Sequence, residues 1–363
     1  MYYNYFFYIK FNIMNNEIND MRKQKEFSGI TFSKYKKAEA KKELLNNIKN
    51  NKIESACYWS AEYICAGHFA ELWDIILNVM SNQINIANPK LPIYIDARIN
   101  EFKNIVGNGY IGNEIGMRNN KKIREMFCEI ISVLCLSNKN TTYDVQKINQ
   151  RDYNMENLME YLKAPSINYG RGSFSNDDPK ELFIAINELA WNIRNKNSYK
   201  AFFWIEWLIG YEDLCKKKKK TILCKSRGVP VDSKYNKELV WLIWDVIINE
   251  CKKKHPEKGK IINALLNSFC LRYSSAVRKK RRYIIYFAIS LLTQAVSLST
   301  KIVHDTSIAQ NAVKNIDKIY KQIKVNEVAP KTSYLFSGTT NDKKKNMEKI
   351  NNMGNLANII IRN

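Results

Sequence analysis

The chain is 363 residues long, enough for two or three domains of ordinary size and for a large buried core. Apolar residues make up 45% and aromatic residues 12%, which excludes a disordered or collagen-like chain, and 13 Gly and 7 Pro leave little material for a Gly-rich nucleotide-binding fold. Lys and Arg number 58 against 35 Asp and Glu, a formal charge of +23, so a negatively charged partner is the first to consider.

Residues 1–26 predict a loosely ordered extension. The stretch 2–9 is rich in Tyr and Phe but lacks the basic start and the small-residue cleavage site of a secretory signal. Regular patterning begins only around Phe27, and we assign no function to the residues before it.

Apolar residues then recur at helical spacing, and the breaks between them predict the helix positions. The first eight helices are expected over 34–50, 54–66, 69–82, 93–106, 120–136, 154–163, 179–195 and 198–213, and four more over 235–254, 258–276, 279–300 and 306–324. Asp178 before Pro179 predicts a capped start for one of them. Alternation typical of strands is not convincing anywhere, so a mainly α fold is expected.

A long Gly-containing loop over 165–178 is the place where the sequence divides most readily. We therefore expect a two-lobed multi-helix bundle, with a first lobe over 27–170 and a second, basic lobe over 171–325. Patterning fades after Val325, which predicts a flexible tail over 326–363. Tyr334, Leu335 and Phe336 either dock on a partner or fold back on the body.

Two basic runs are the strongest functional signal. Their members are Lys216, Lys217, Lys218, Lys219 and Lys220 in the first run, and Arg278, Lys279, Lys280, Arg281 and Arg282 in the second. Such clusters bind a phosphate backbone by releasing condensed counterions, without reading base sequence. The alternative is that enrichment in Lys reflects an AT-rich gene and that the runs are solvated loops. Tyr273 and Tyr283 flank the second run and could stack on bases, although such tyrosines more often lie at the edge of a core.

Two further readings stay open as weaker alternatives. The stretch 283–300 carries no charge and approaches the length of a membrane span, but its Ser, Thr and Gln residues favour a central buried helix. Cys215, Cys224, Cys251 and His255 supply thiolate and imidazole groups, yet their spacing lacks the close Cys pairs of structural zinc sites. We predict no metal and no membrane partner.

Motifs that carry catalysis are scarce. The sequence has no phosphate-binding G-x-x-x-x-G-K-[ST] loop, no H-E-x-x-H and no G-x-S-x-G. His68 follows Gly67 as expected of a helix end, and His304 with Asp305 is expected at the start of the next helix. We predict a protein that is not an enzyme and needs no cofactor.

Part of the first lobe resembles a known helical domain. The residues Ala56, Cys57, Tyr58 and Trp59, then Gly67, then 86–89 resemble the oligomerisation domain, or collar, of the replication-associated recombination ATPases related to clamp loaders. The resemblance covers 53–140 and lacks the ATPase module. It implies a collar-like or adaptor role and a possible homo-oligomer, and it does not imply motor activity.

The chain from Phe27 to Phe336 also resembles the Asn- and Lys-rich helical proteins of large nucleocytoplasmic DNA viruses, an impression carried by 55–73 and 282–293. That resemblance implies viral protein partners and a location in the host cytoplasm or the virion. Together with the basic runs it predicts an accessory or assembly factor that binds DNA or RNA during viral genome replication or packaging. The alternative is a virion structural or scaffolding protein with no nucleic-acid role.

Overall fold

A computed structural model describes residues 17–328, and every statement about the fold refers to that part of the chain. It is built from helices, and the only β pairing between residues 17 and 328 is an isolated bridge between Ile30 and Lys36. The α-helices are α1 (Lys37–Lys49), α2 (Ile53–Cys65), α3 (Phe69–Asn78), α4 (Leu91–Gly107), α5 (Lys121–Leu136), α6 (Met155–Leu158), α7 (Phe183–Arg194), α8 (Ser198–Lys217), α9 (Val240–Lys254), α10 (Gly259–Cys270), α11 (Val277–Lys280), α12 (Arg282–Thr293), α13 (Thr306–Lys314) and α14 (Ile316–Lys324). The mainly α fold class is confirmed.

Short 3-10 turns join several of these helices, and a π-helical turn, Val79–Ile84, extends α3. The 3-10 segments are Gln24–Phe27, Asn85–Ala87, Ile115–Asn119, Gln150–Tyr153, Met159–Tyr161, Lys180–Leu182, Ser233–Tyr235 and Pro256–Lys258.

The predicted helices beyond residue 258 are divided more finely than the pattern indicates. The stretch predicted as one helix over 279–300 breaks at Arg281 into α11 and α12, and α12 ends where Gln294 adopts extended backbone. The predicted helix over 306–324 breaks at Asn315 between α13 and α14. Apolar spacing continues across such one-residue breaks, so periodicity alone does not reveal them.

Side-chain caps explain where several helices begin. Asn120, Asn197 and Asp305 each accept a hydrogen bond from a backbone N–H of the first turn that follows, in α5, α8 and α13. These bonds satisfy donors that have no partner within the helix. The expected role of Asp305 at the start of a helix is confirmed.

The end of α2 is a glycine cap, as expected from the sequence. Gly67 adopts φ +76°, the left-handed conformation that glycine reaches without steric cost. The amides of Gly67 and His68 donate to the carbonyls of Ile64 and Tyr63, at 3.0 and 2.9 Å. The His68 imidazole lies buried, 3.0 Å from the Phe27 carbonyl and 2.8 Å from that of Ile30. It therefore holds the segment before α1 in place.

Asp178 does not cap a helix, which corrects the sequence prediction. Its carboxylate accepts from the backbone N–H groups of Ser175 and Lys225 and pairs with Arg227 at 2.7 Å. Burial alone raises the pKa of this carboxyl, but the hydrogen bonds from Arg227, Ser175 and Lys225 outweigh it and hold the pKa below its usual value. Asp178 thus joins the loop before α7 to the long connection between α8 and α9.

The helices form two groups that share one hydrophobic core. Helices α1, α2, α3 and α5 pack together in the first group, and α7, α8, α9, α10 and α12 in the second. Helix α12 is buried along its length from Ile284 to Thr293, as the expected central helix should be. It contacts the π-helical turn of the first group, and α10 packs against α4, which in turn contacts α5 of the first group. We call this contact between the groups the seam.

The boundaries of the lobes differ from the sequence prediction at both ends. Helices α13 and α14, predicted in the second lobe, pack on α5 and α2 of the first. At the other end Ile18 is buried, and its backbone exchanges hydrogen bonds with the Asn119 side chain. Residues 17–26 are therefore attached to the first group, whereas the rest of the predicted extension, most of the predicted tail, and Tyr334, Leu335 and Phe336 lie outside the described residues.

No helix between residues 17 and 328 is both long enough and apolar enough to cross a membrane.

Replacing Asp178 by Asn is expected to lower the free energy of unfolding by about 2 kcal/mol at neutral pH, because it leaves the half-buried Arg227 guanidinium with Asp245 as its one remaining carboxylate. The pKa of Asp178 is lower in the folded chain, so its stabilising contribution is present above the pKa of an unfolded Asp, about 3.9, and is lost as pH falls through the lower folded value. Urea unfolding of both proteins across this pH range measures the difference. A difference unchanged down to the acid limit would contradict the assignment.

Candidate nucleic-acid interface

The first basic run lies at the C-terminal end of α8. Lys216 and Lys220 pair with Glu212 and Glu181, with Nζ to carboxylate oxygen distances of 2.9 and 2.8 Å. The three lysines between them, Lys217, Lys218 and Lys219, are exposed and have no carboxylate partner within residues 17–328. The run therefore presents three amines to solvent at a helix end that turns back through Lys219, at φ +57°.

The second run divides into buried arginines and exposed lysines. Arg278 and Arg281 are only 2% and 7% exposed. Arg278 pairs with Glu212 and Asp213, and Arg281 with Asp74 at 2.8 Å and with the carbonyls of Phe269 and Leu271.

Arg282 is also engaged inside the protein. Its guanidinium lies 2.6 Å from the buried carboxylate of Glu206, which also accepts from the Tyr286 hydroxyl at 2.8 Å. All three guanidinium groups thus bind internal acceptors, with Arg278 and Arg281 buried and Arg282 half-buried, and their predicted contact with phosphates stays a prediction. Sequence alone does not show this, because the carboxylates come from α3 and α8, far away in the chain.

The structure brings the two basic runs together. Glu212 binds Lys216 and Arg278, and Asp213, the next residue of α8, binds Arg278 and Lys279. Two carboxylates are thus shared by three cations, and the exposed amines lie around them. We call the set Lys217, Lys218, Lys219, Lys279 and Lys280 the basic surface.

Lys280 faces the seam, where it lines a first cavity of about 410 Å³ with Lys37, Lys41, Arg281 and other residues. Lys37 pairs with Glu71 at 2.8 Å. Burial raises the pKa of that carboxyl, but the hydrogen bond and charge of Lys37, together with a backbone hydrogen bond, outweigh burial and lower the pKa overall. Lys41 and Lys280 have no carboxylate partner in the described part of the chain. The cavity therefore carries a positive excess.

A second cavity, of about 530 Å³, adjoins the first, since the ion pair between Arg281 and Asp74 lines both. Its walls are mostly apolar and include the rings of Phe69, Trp73 and Phe102. A third cavity, of about 610 Å³, follows on the far side. Leu271, Arg272 and Lys103 line both the second and the third. Three cavities thus follow one another along the seam.

Of the flanking tyrosines, Tyr273 has a structural role. It is buried and donates from its hydroxyl to Glu238 at 2.6 Å, which agrees with a tyrosine at the edge of the core. Tyr283 is half-buried, with its ring centroid 6.1 Å from that of Tyr286.

The alternative of a zinc site formed by Cys215, Cys224, Cys251 and His255 is not supported by the arrangement of these side chains. Residues 17–328 contain no group of three or more His, Cys, Asp and Glu side chains placed to hold a metal ion. Cys251 instead donates to the carbonyl of His255 at 3.2 Å. Burial raises the pKa of Cys224 to about 12, so this thiol stays protonated at neutral pH.

Sequence reasoning missed the residues of the seam. Lys103 and Arg272 are isolated basic residues, Lys41 belongs to a lysine-rich stretch over 34–42 that ordinary helix surfaces also show, and the aromatic rings of α3 and α4 resemble ordinary core positions. Arg272 has an unusual backbone, φ +45°, but nothing in the sequence signals it.

Comparison of the chain with protein-family models, with curated proteins and with solved structures gave no match. The resemblances to a viral helical family and to a collar domain therefore stay predictions.

The division of the second run into buried arginines and exposed lysines can be tested by measuring the free energy of unfolding of two variants. Arg278→Ala is expected to lower the free energy of unfolding by about 3 kcal/mol, because it leaves the buried Glu212 carboxylate with one cation fewer. Lys280→Ala is expected to change it by less than about 0.5 kcal/mol, as an exposed side chain without an ion pair should. Urea titration measures both variants, and equal effects would contradict the division.

Proposed function

We propose that the chain is a non-enzymatic nucleic-acid accessory or assembly factor that holds phosphate backbone through the basic surface. The observation that carries the proposal is the convergence of the two basic runs on Glu212 and Asp213. Runs separated by some sixty residues of sequence become one patch, with more cations than carboxylates.

The chemistry of the patch suits phosphate better than a base edge. Its exposed members are all lysines, whose ammonium groups act as mobile point charges without the planar fork that reads guanine. Amines of this kind gain affinity by releasing counterions from a charged backbone, so binding should be independent of base sequence and steeply dependent on salt.

A viral setting is a further part of the proposal and rests on the resemblance of the chain to helical proteins of large DNA viruses. Genome replication and packaging both need factors that bind nucleic acid without sequence preference. The competing proposal, a virion structural or scaffolding protein, assigns the same lysines to acidic protein neighbours.

Replacing Lys217, Lys218 and Lys219 together by Gln should weaken binding to DNA or RNA by about 10- to 100-fold near physiological salt. It should also flatten the plot of log affinity against log salt by about two to three units, because each lysine removed leaves one phosphate with its counterion. Fluorescence anisotropy of the full chain with labelled single- and double-stranded DNA and RNA, over a salt series, measures both quantities.

The matched control replaces three other consecutive exposed lysines, Lys252, Lys253 and Lys254, by Gln. These lie at the C-terminal end of α9, whose other end is near the basic surface, where Glu238 approaches Arg278 to 4.0 Å. Both variants lose the same net charge, so equal loss of affinity would show a nonspecific charge effect and contradict the site. Absence of any binding by the unaltered chain would favour the structural-protein alternative.

A further inference from the structure

We infer that the second seam cavity holds one unpaired base of a nucleic-acid strand whose phosphates lie in the first and third cavities. This inference rests on the proposed function and makes it more specific, because it assigns a single strand as the preferred ligand and the seam as the place where it binds.

The order of the three cavities provides the path. The Arg281–Asp74 pair forms the shared wall between the first and second cavities, and Leu271, Arg272 and Lys103 form the shared wall between the second and third. An extended ligand with a planar apolar centre and charged ends fits this sequence of compartments.

The central cavity presents one accessible aromatic ring to such a ligand, that of the half-buried Phe102, and the buried rings of Phe69 and Trp73 support it from behind. The ring centroid of Phe102 lies 5.5 Å from that of Phe69 and 5.7 Å from that of Trp73, and all three residues line the cavity. Aromatic side chains bind single strands by stacking, which tolerates any base because every base has a π face.

The neighbouring cavities supply charge for the backbone. Lys41 and Lys280 line the first cavity, and Lys103 and Arg272 the third. All four are exposed and have no carboxylate partner in the part of the chain that the structure describes. Taking a base out of a duplex costs its stacking and pairing, so an unpaired strand supplies a base to the central cavity at the lowest cost.

The substitution Gly107→Trp tests this inference. Gly107 is the last residue of α4 and lines the central cavity, and a Cβ built there meets nothing within 4 Å. An indole at this position should fill the cavity without disturbing the fold. The matched control is Gly259→Trp, at the first residue of α10, where a Cβ also meets nothing within 4 Å.

The probe is an oligothymidylate that carries one 2-aminopurine, whose fluorescence falls when the base stacks. The unaltered chain should quench it, and Gly107→Trp should abolish the quenching and reduce single-strand affinity about tenfold while duplex affinity is unchanged. Gly259→Trp should leave all three quantities unchanged.

Three results would overturn the inference. If Gly107→Trp keeps the quenching and the single-strand affinity, the cavity is not used. The proposed function would still be supported in that case if salt-dependent binding is lost when Lys217, Lys218 and Lys219 are replaced. Tighter binding of duplex than of single strand would exclude the unpaired base. Saturable quenching of free 2-aminopurine nucleoside triphosphate, with no binding of the strand, would assign the cavity to a small-molecule nucleotide.

Discussion

Three arginines within the short segment 278–282, at the start of α12, form ion pairs with carboxylates of other helices. Arg278 and Arg282 reach α8, and Arg281 reaches across the seam to Asp74 of α3. Removing such groups from water costs several kcal/mol each, and the cost is offset only where a carboxylate and further acceptors meet the guanidinium. The Arg281–Asp74 pair joins the two helix groups and lines two of the cavities, and Arg278 and Arg282 hold the start of α12 against α8.

The same constraint explains how the surface becomes basic. Where the guanidinium groups turn inward, the lysines beside them are left facing outward, and Glu212 and Asp213 draw the end of α8 towards the same place. The segment at the start of α12 therefore contributes both to the basic surface, through its exposed lysines, and to the cavities of the seam, through Arg281. Binding of a strand at the seam and binding of backbone on the surface would share the segment 278–282.

The sequence alone predicts the helices well, because apolar spacing, capping residues and Gly67 act locally. It does not predict which basic residues are exposed. Arg278 and Lys279 are neighbours with similar chemistry, but Arg278 is buried and Lys279 exposed, and the carboxylates that they pair with lie some sixty-five residues earlier in the chain. Asp178 is a second example of a residue whose role the sequence does not predict. Its position before Pro179 is typical of a helix cap, whereas in the structure it pairs with Arg227. The seam is built from Lys41, residues of α4 and the segment 271–281, which meet only in the folded chain.

The division between the two kinds of cation has a practical consequence. Reagents that acylate amines would discharge the exposed lysines of the native protein, whereas reagents specific for guanidinium groups would find Arg278 and Arg281 protected by burial. Charge and fold can therefore be altered separately: the surface can be neutralised chemically in the folded state, and the arginines become reactive only when the helices around α12 come apart.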